Sequence, residues 1–353
     1  MKGPNSGTDV AGGVPYRMSR RETLKQTLIA GLFLPQALDA QRRRGRRGYV
    51  DPSQIPAYRY RTLPVSRFRE LQEEYDKALA SPLYSRAKAF RDQVARLSFK
   101  VPADFPAAKA VIVVAAFTKS MYARFTLDGT QFRLLVPPQY YADEMNAANL
   151  LGIVRREIVK NASYRIVDVS NSVPLKLLAA RSGLGRYGRN NLLFVDGMGS
   201  YNLLYAFLTD CPFPEDNWTQ LSILGHCQRC DHCDRSCPTT CLSYANFPIN
   251  IDRCVTLYNE RPGTFPSWML RSSHTALMGC MRCQDSCPED GGFAELAGML
   301  EDVSEDETRK ILKGAADDAL LTSLRRKLKQ FPAVASKEAF PILTRNLTVL
   351  TRS

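Results

Sequence analysis

The sequence predicts an α/β (α+β) front domain with a mixed sheet, then a cysteine-rich module, then a helical C-terminal segment. Three observations carry this. In the front half, short apolar runs rich in β-branched residues alternate with stretches whose apolar residues recur every three or four positions. Nine of the ten cysteines fall between Cys227 and Cys287. Beyond them, Ser304 to Glu307 spells a capping box, and Leu320, Leu324 and Leu328 share a helix face.

In chain order, residues 1–40 read as a signal rather than as fold. Arg20 and Arg21 follow Ser19 and precede Leu24, Lys25 and a short apolar stretch from Leu28 to Leu34, a pattern similar to the twin-arginine export signal. That places the mature protein in the periplasm or outside the cell, with the export machinery as a partner; a cytoplasmic arm is the alternative. Residues 41–62 read as a basic linker, with five arginines in "QRRRGRRGY". The formal charge of +13 admits nucleic acid, an anionic membrane or an acidic partner, but this run supplies part of it. No stretch is long and apolar enough to span a membrane permanently.

The α/β domain is assigned to 63–215. Val65, Phe68, Leu71, Tyr75 and Leu79 fall at helical spacing, as do Leu83, Ala87, Phe90, Val94 and Leu97. "AVIVVAAF" (Ala110–Phe117) reads as a strand buried on both faces. Asp128-Gly129 marks a hairpin turn. A helix over 142–160, a strand over 164–169, a helix from Pro174 to about Gly183, and strands in "NLLFV" and "YNLLYAFLTD" complete it.

The module, 216–292, carries the chemistry. Cys227, Cys230, Cys233 and Cys237 give C-x2-C-x2-C-x3-C followed by Pro238; Cys280, Cys283 and Cys287 give C-x2-C-x3-C followed by Pro288; Cys254 stands between. The first run is the bacterial ferredoxin pattern for a [4Fe–4S] cube, in which the fourth cysteine serves the other cluster. On that rule one cluster takes Cys227, Cys230, Cys233 and Cys287, and the other takes Cys237, Cys254, Cys280 and Cys283. Zinc knuckles have no use for a third cysteine at the same short interval, and cysteines three apart in one loop are awkward to bridge as disulfides. Cys211 and Cys241 are left over, the first as a small buried hydrophobe and the second as a bystander. The rest of the chain, 293–353, is read as a helical segment.

The stretch "LAARSGLGRYGRNNLL" (Leu178–Leu193), the strand after it from Gly199, and the two cysteine sets in this order resemble epoxyqueuosine reductases and corrinoid reductive dehalogenases over roughly residues 105–290. The resemblance implies a cobalamin in the α/β domain beside the nearer cluster, bound base-off, since the chain lacks the histidine motif that supplies an axial ligand. The residues matching the cobalamin-facing loops are Gly183, Gly185, Gly188, Asn190 and Gly199. The family's catalytic aspartate falls at Val169 here, with Asp168 one residue off. The dehalogenase pairing of a tyrosine with a basic residue points to Tyr187 with Arg189, with Tyr140 and Tyr141 as further candidates. The expected activity is reduction of a small organic substrate, with electrons arriving from a donor protein or reduced carrier; nucleic acid is not expected as a partner. A cytoplasmic reductase acting on modified tRNA, or a ferredoxin-type carrier without catalysis, are the alternatives.

Overall fold

The computed structural model describes residues 50–81, 87–142, 144–242 and 249–352, and the twin-arginine segment lies outside them. The first strand, β1 (Tyr58–Pro64), pairs antiparallel with β2 (Ala110–Phe117), Tyr58 opposite Ala116. The expected linker to residue 62 therefore ends in sheet. Arg59, Tyr60 and Arg61 are exposed on this edge strand and only Thr62 and Leu63 are buried, so its composition reads as linker. Helices α1 (Phe68–Ala80) and α2 (Lys88–Val94) follow.

β2 is the central strand and is buried from Ala110 to Ala116. Val111, Val113 and Ala115 face one core with Leu71 and Leu178; Ile112, Val114 and Ala116 face another with Leu150, Val154 and Phe207. An uninterrupted apolar run is what a strand covered on both faces requires.

The hairpin of β3 (Met121–Leu127) and β4 (Thr130–Val136) turns at Asp128-Gly129, both at positive φ. Helix α3 (Ala147–Ile153) is capped by Asn146, whose side chain accepts from the Asn149 N–H at 3.1 Å, and it widens into a π turn over Val154–Val159. The helix expected from residue 142 thus begins at its cap. β5 (Ile166–Asp168), α4 (Leu175–Arg181), the two-residue strands β6 (Arg186–Tyr187) and β7 (Leu193–Phe194), and β8 (Asn202–Thr209) complete the front half.

The main sheet runs β1-β2-β8-β5 and is antiparallel throughout. A mixed sheet does occur, in the order β4-β3-β9, where β9 (Gly298–Met299) lies parallel to β3. The C-terminal helices α5 (Glu305–Leu312), α6 (Asp318–Lys327) and α7 (Phe340–Thr351) close over this second sheet, with Phe125 and Val136 packed among Leu324, Phe331, Phe340 and Leu343. The segment read as helical, 293–353, holds these three helices and supplies part of this core. The capping box forms, with Ser304 and Glu307 bonded reciprocally. The described residues belong to one compact unit, and none of their helices is long and apolar enough to cross a membrane.

Candidate functional site

The two cysteine motifs form short helices offset by fifty residues, His232–Ser236 and Arg282–Asp285. Corresponding residues bond reciprocally across them. Ser236 Oγ donates to the Arg282 carbonyl at 3.1 Å, Ser286 Oγ to the His232 carbonyl at 3.4 Å, and the two hydroxyls are 2.8 Å apart.

The thiols influence one another in two sets. Burial raises Cys233, and Cys227 and Cys230 raise it further; burial also pushes Cys287 up to about 12, with Asp290 and Cys227 adding to it. Burial lifts Cys280 to about 11 and Cys283 well above a normal thiol, with Cys254 and Cys237 acting on both. Cys233 acts on Cys283 as well, so the sets lie within electrostatic range of each other. Cys237 is lowered by the Cys241 thiol and by backbone N–H groups around it. Among the described residues, no three His, Cys, Asp or Glu side chains converge as a single metal ion would require.

Beside the second set lies a cavity of about 1380 Å³. Cys237, Cys254, Cys280 and Cys283 line it, and no cysteine of the first set does. Its opposite wall includes Leu175, Lys176, Asn191, Leu192, Asn202 and Leu204. Lys176, exposed on the cavity wall, donates from Nζ to the Asn191 carbonyl at 3.0 Å; the protein crowded around it lowers its pKa and Cys254 opposes that. Arg181, on the same wall, is paired with Glu74 through two bonds, one of 2.8 Å.

The comparisons fit this arrangement. The chain is 30% identical over 118 residues to an epoxyqueuosine reductase of Staphylococcus aureus, and 31% over 144 residues to one of Aliivibrio fischeri. This chain resembles the epoxyqueuosine reductases. Those matches span 33% and 40% of this chain and only 30% and 38% of the relatives, so the chain spans about a third of the length of the curated relatives it matches. Solved structures of epoxyqueuosine reductase share the fold over 84% of this chain, with a TM-score of 0.59 at 17% identity for a selenomethionine-labelled form and 0.54 for that of Streptococcus thermophilus. Another, at TM-score 0.54, is held with an epoxyqueuosine-modified tRNA stem loop. No family model matches the sequence.

Against this epoxyqueuosine-reductase-like fold, the expected site residues distribute unevenly. Tyr187 and Asn190 line the cavity, and Asn190 Nδ2 donates to the Cys283 carbonyl at 3.3 Å. Arg189 does not: its guanidinium donates to the Cys227 carbonyl at 3.1 and 2.5 Å, and its N–H points at Cys227 Sγ from 3.5 Å. Asp168 is exposed at the end of β5 and accepts from Ser170 N and Oγ at 2.9 and 2.5 Å; Ser170, not Asp168, reaches the wall. Val169 is buried in the core. A one-residue slip along the strand has sent the carboxylate to the other side.

Gly183, Gly185, Gly188 and Gly199 are not on the cavity wall; each answers to the protein's own packing. A Cβ on Gly185 would lie 2.6 Å from the Phe194 carbonyl and one on Gly183 2.9 Å from Thr219; Gly188 abuts the Phe194 ring, and Gly199, at φ +56°, abuts Asp290. Tyr140 donates to Glu260 and Tyr141 to the Lys119 carbonyl at 2.6 Å, both away from the wall. Sequence reasoning passed over Lys176 because a lysine in an amphipathic helix ordinarily marks the solvated face.

Proposed function

We propose that this protein is an iron–sulfur reductase that delivers electrons from two [4Fe–4S] clusters to a ligand in the large cavity, and that it acts on an epoxyqueuosine-type nucleoside carried by tRNA. The observation that carries this is the cavity wall itself: four thiols of one set form part of it, so a cluster held by them would border the cavity and could supply electrons to a ligand there. Cys227, Cys230, Cys233 and Cys287 would hold the first cluster, and Cys237, Cys254, Cys280 and Cys283 the second. Thiols lose their protons on binding iron, and the eight cysteines of the two sets match two cubes. The Cys287–Cys227 and Cys237–Cys283 influences support the exchanged fourth ligand in each.

A corrinoid fits the cavity by size and by its contact with the second set. Leu175, Leu192 and Leu204 would pack against its faces and Asn191 and Asn202 would meet its polar rim; Gly183, Gly185, Gly188 and Gly199 would not touch it. When bound, such a cofactor supplies a metal centre that takes up single electrons and reacts at carbon. Lys176 would hold a proton or a positive charge at Nζ inside the cavity, where Asp168 does not reach. The basic surplus of +13 would serve tRNA phosphates, which revises the expectation that nucleic acid is no partner. tRNA as substrate would put the working protein in the cytoplasm.

A small organic substrate reduced after export is the second reading, favoured by Arg20 and Arg21 and by the absence of a carboxylate at Val169. The test is anaerobic reconstitution, assay of iron and sulfide, absorbance titration with cobalamin, and incubation with reductant and an epoxyqueuosine-bearing tRNA stem loop. About eight irons, a cobalamin spectral change and conversion of the nucleoside are expected. Zinc in place of iron overturns the reductase reading; iron and cobalamin without conversion overturns the tRNA substrate alone.

A further inference from the structure

Cys241 is the ninth thiol of the module and lies outside both ligand sets. It follows Cys237 by four residues, and the chain doubles back between them through Thr240, at φ +53°. The result is close contact. The Cys241 and Cys237 sulfurs are 3.4 Å apart, and the Cys241 N–H donates to Cys237 Sγ at 3.3 Å. The side chain is buried beside Leu242 and Cys233, on the cavity side of the second set.

We infer that Cys241 is a positioning residue for the second cluster: its thiol donates a hydrogen bond to the cluster-bound sulfur of Cys237 and thereby raises that cluster's reduction potential. The inference rests on the iron–sulfur reading above. A sulfur bound to iron carries no proton and can only accept, so in the loaded protein the shared proton belongs to Cys241. Cys241 is buried, and both its sulfur and its N–H lie against Cys237 Sγ, so a proton on Cys241 has that sulfur as its near acceptor. A donor aimed at a cluster sulfur favours the more negative, reduced state, and hydrogen bonds to the sulfurs are among the levers that set such potentials. Placed on the cavity side, this donor would act on the cluster that hands electrons to the ligand.

The experiment uses the full chain, wild type and the Cys241→Ala and Cys241→Ser variants, reconstituted with iron and sulfide without oxygen. Iron is counted, and each cluster is titrated electrochemically with paramagnetic resonance detection. The expected result is unchanged iron in all three, one midpoint potential shifted negative in Cys241→Ala with the other unmoved, and most of that shift recovered in Cys241→Ser. Exchange into deuterium oxide should remove a proton coupling from the wild-type second-cluster signal that Cys241→Ala never shows. Unshifted potentials in Cys241→Ala overturn the proposal and leave Cys241 a packing residue. Loss of about half the iron from both variants overturns it by making Cys241 a ligand. Wild type without iron overturns the cluster reading, and the proposal with it.

Discussion

The exchange of the fourth cysteine between clusters can be decided by counting iron in paired variants. On the proposed reading, removing Cys287 would take one of four thiolates from a cube, and a three-thiolate cube is expected to be lost on purification, so iron should fall from about eight to about four. The informative step is the second substitution. Cys287 is influenced by Cys227, whereas Cys280 is influenced by Cys254 and Cys237. If Cys287 completes the first set, Cys287→Ala with Cys227→Ala damages the same cube twice, and iron stays near four. Cys287→Ala with Cys280→Ala damages both cubes, and iron falls to about zero. A local arrangement, in which Cys280, Cys283 and Cys287 share a cube, gives the reverse for the two pairs. Iron and sulfide assays on anaerobically prepared protein read the difference. Retention of about four irons in the Cys287→Ala, Cys280→Ala protein would refute the exchanged pairing.

Three further outcomes follow from particular side chains. Burial alone would raise the Glu307 carboxyl, but Lys327, Ser323 and Ser304 outweigh it and hold the pKa at about 2. The folded pKa lies below the unfolded value of 4.5, so this stabilisation is complete above that pH and is lost as pH falls toward 2. Its size is on the order of 2–3 kcal/mol. Glu307→Gln should therefore lower the urea midpoint at pH 7 and narrow the gap to wild type by about pH 3; an equal gap at both would contradict the assignment. Asp168→Asn should leave iron content and cobalamin titration at wild-type levels and change stability by less than about 1 kcal/mol, because the carboxylate is exposed and off the cavity wall. Leu192→Trp, which puts a bulky ring on the cavity wall, should weaken the cobalamin spectral change while iron stays unchanged; undiminished titration would count against cobalamin binding there.

What the sequence alone determined was local. Cysteines three apart before a proline dictate a tight loop of thiols whatever surrounds them. An unbroken run from Ala110 to Ala116 can only be covered on both faces, and Ser304 with Glu307 starts a helix from its own side chains. What only the tertiary structure decided depends on partners distant in the chain. Tyr58–Pro64 becomes a strand because β2 offers it hydrogen bonds, although its arginines read as linker. The C-terminal helices become core because the β3–β4 hairpin has an apolar face to cover. The cavity, the inward turn of Lys176, the outward turn of Asp168 and the contact of Cys241 with Cys237 all arise where separate segments meet. A side chain's direction there is set by one residue of register and by packing against chain remote in sequence, and neither leaves a periodic signal.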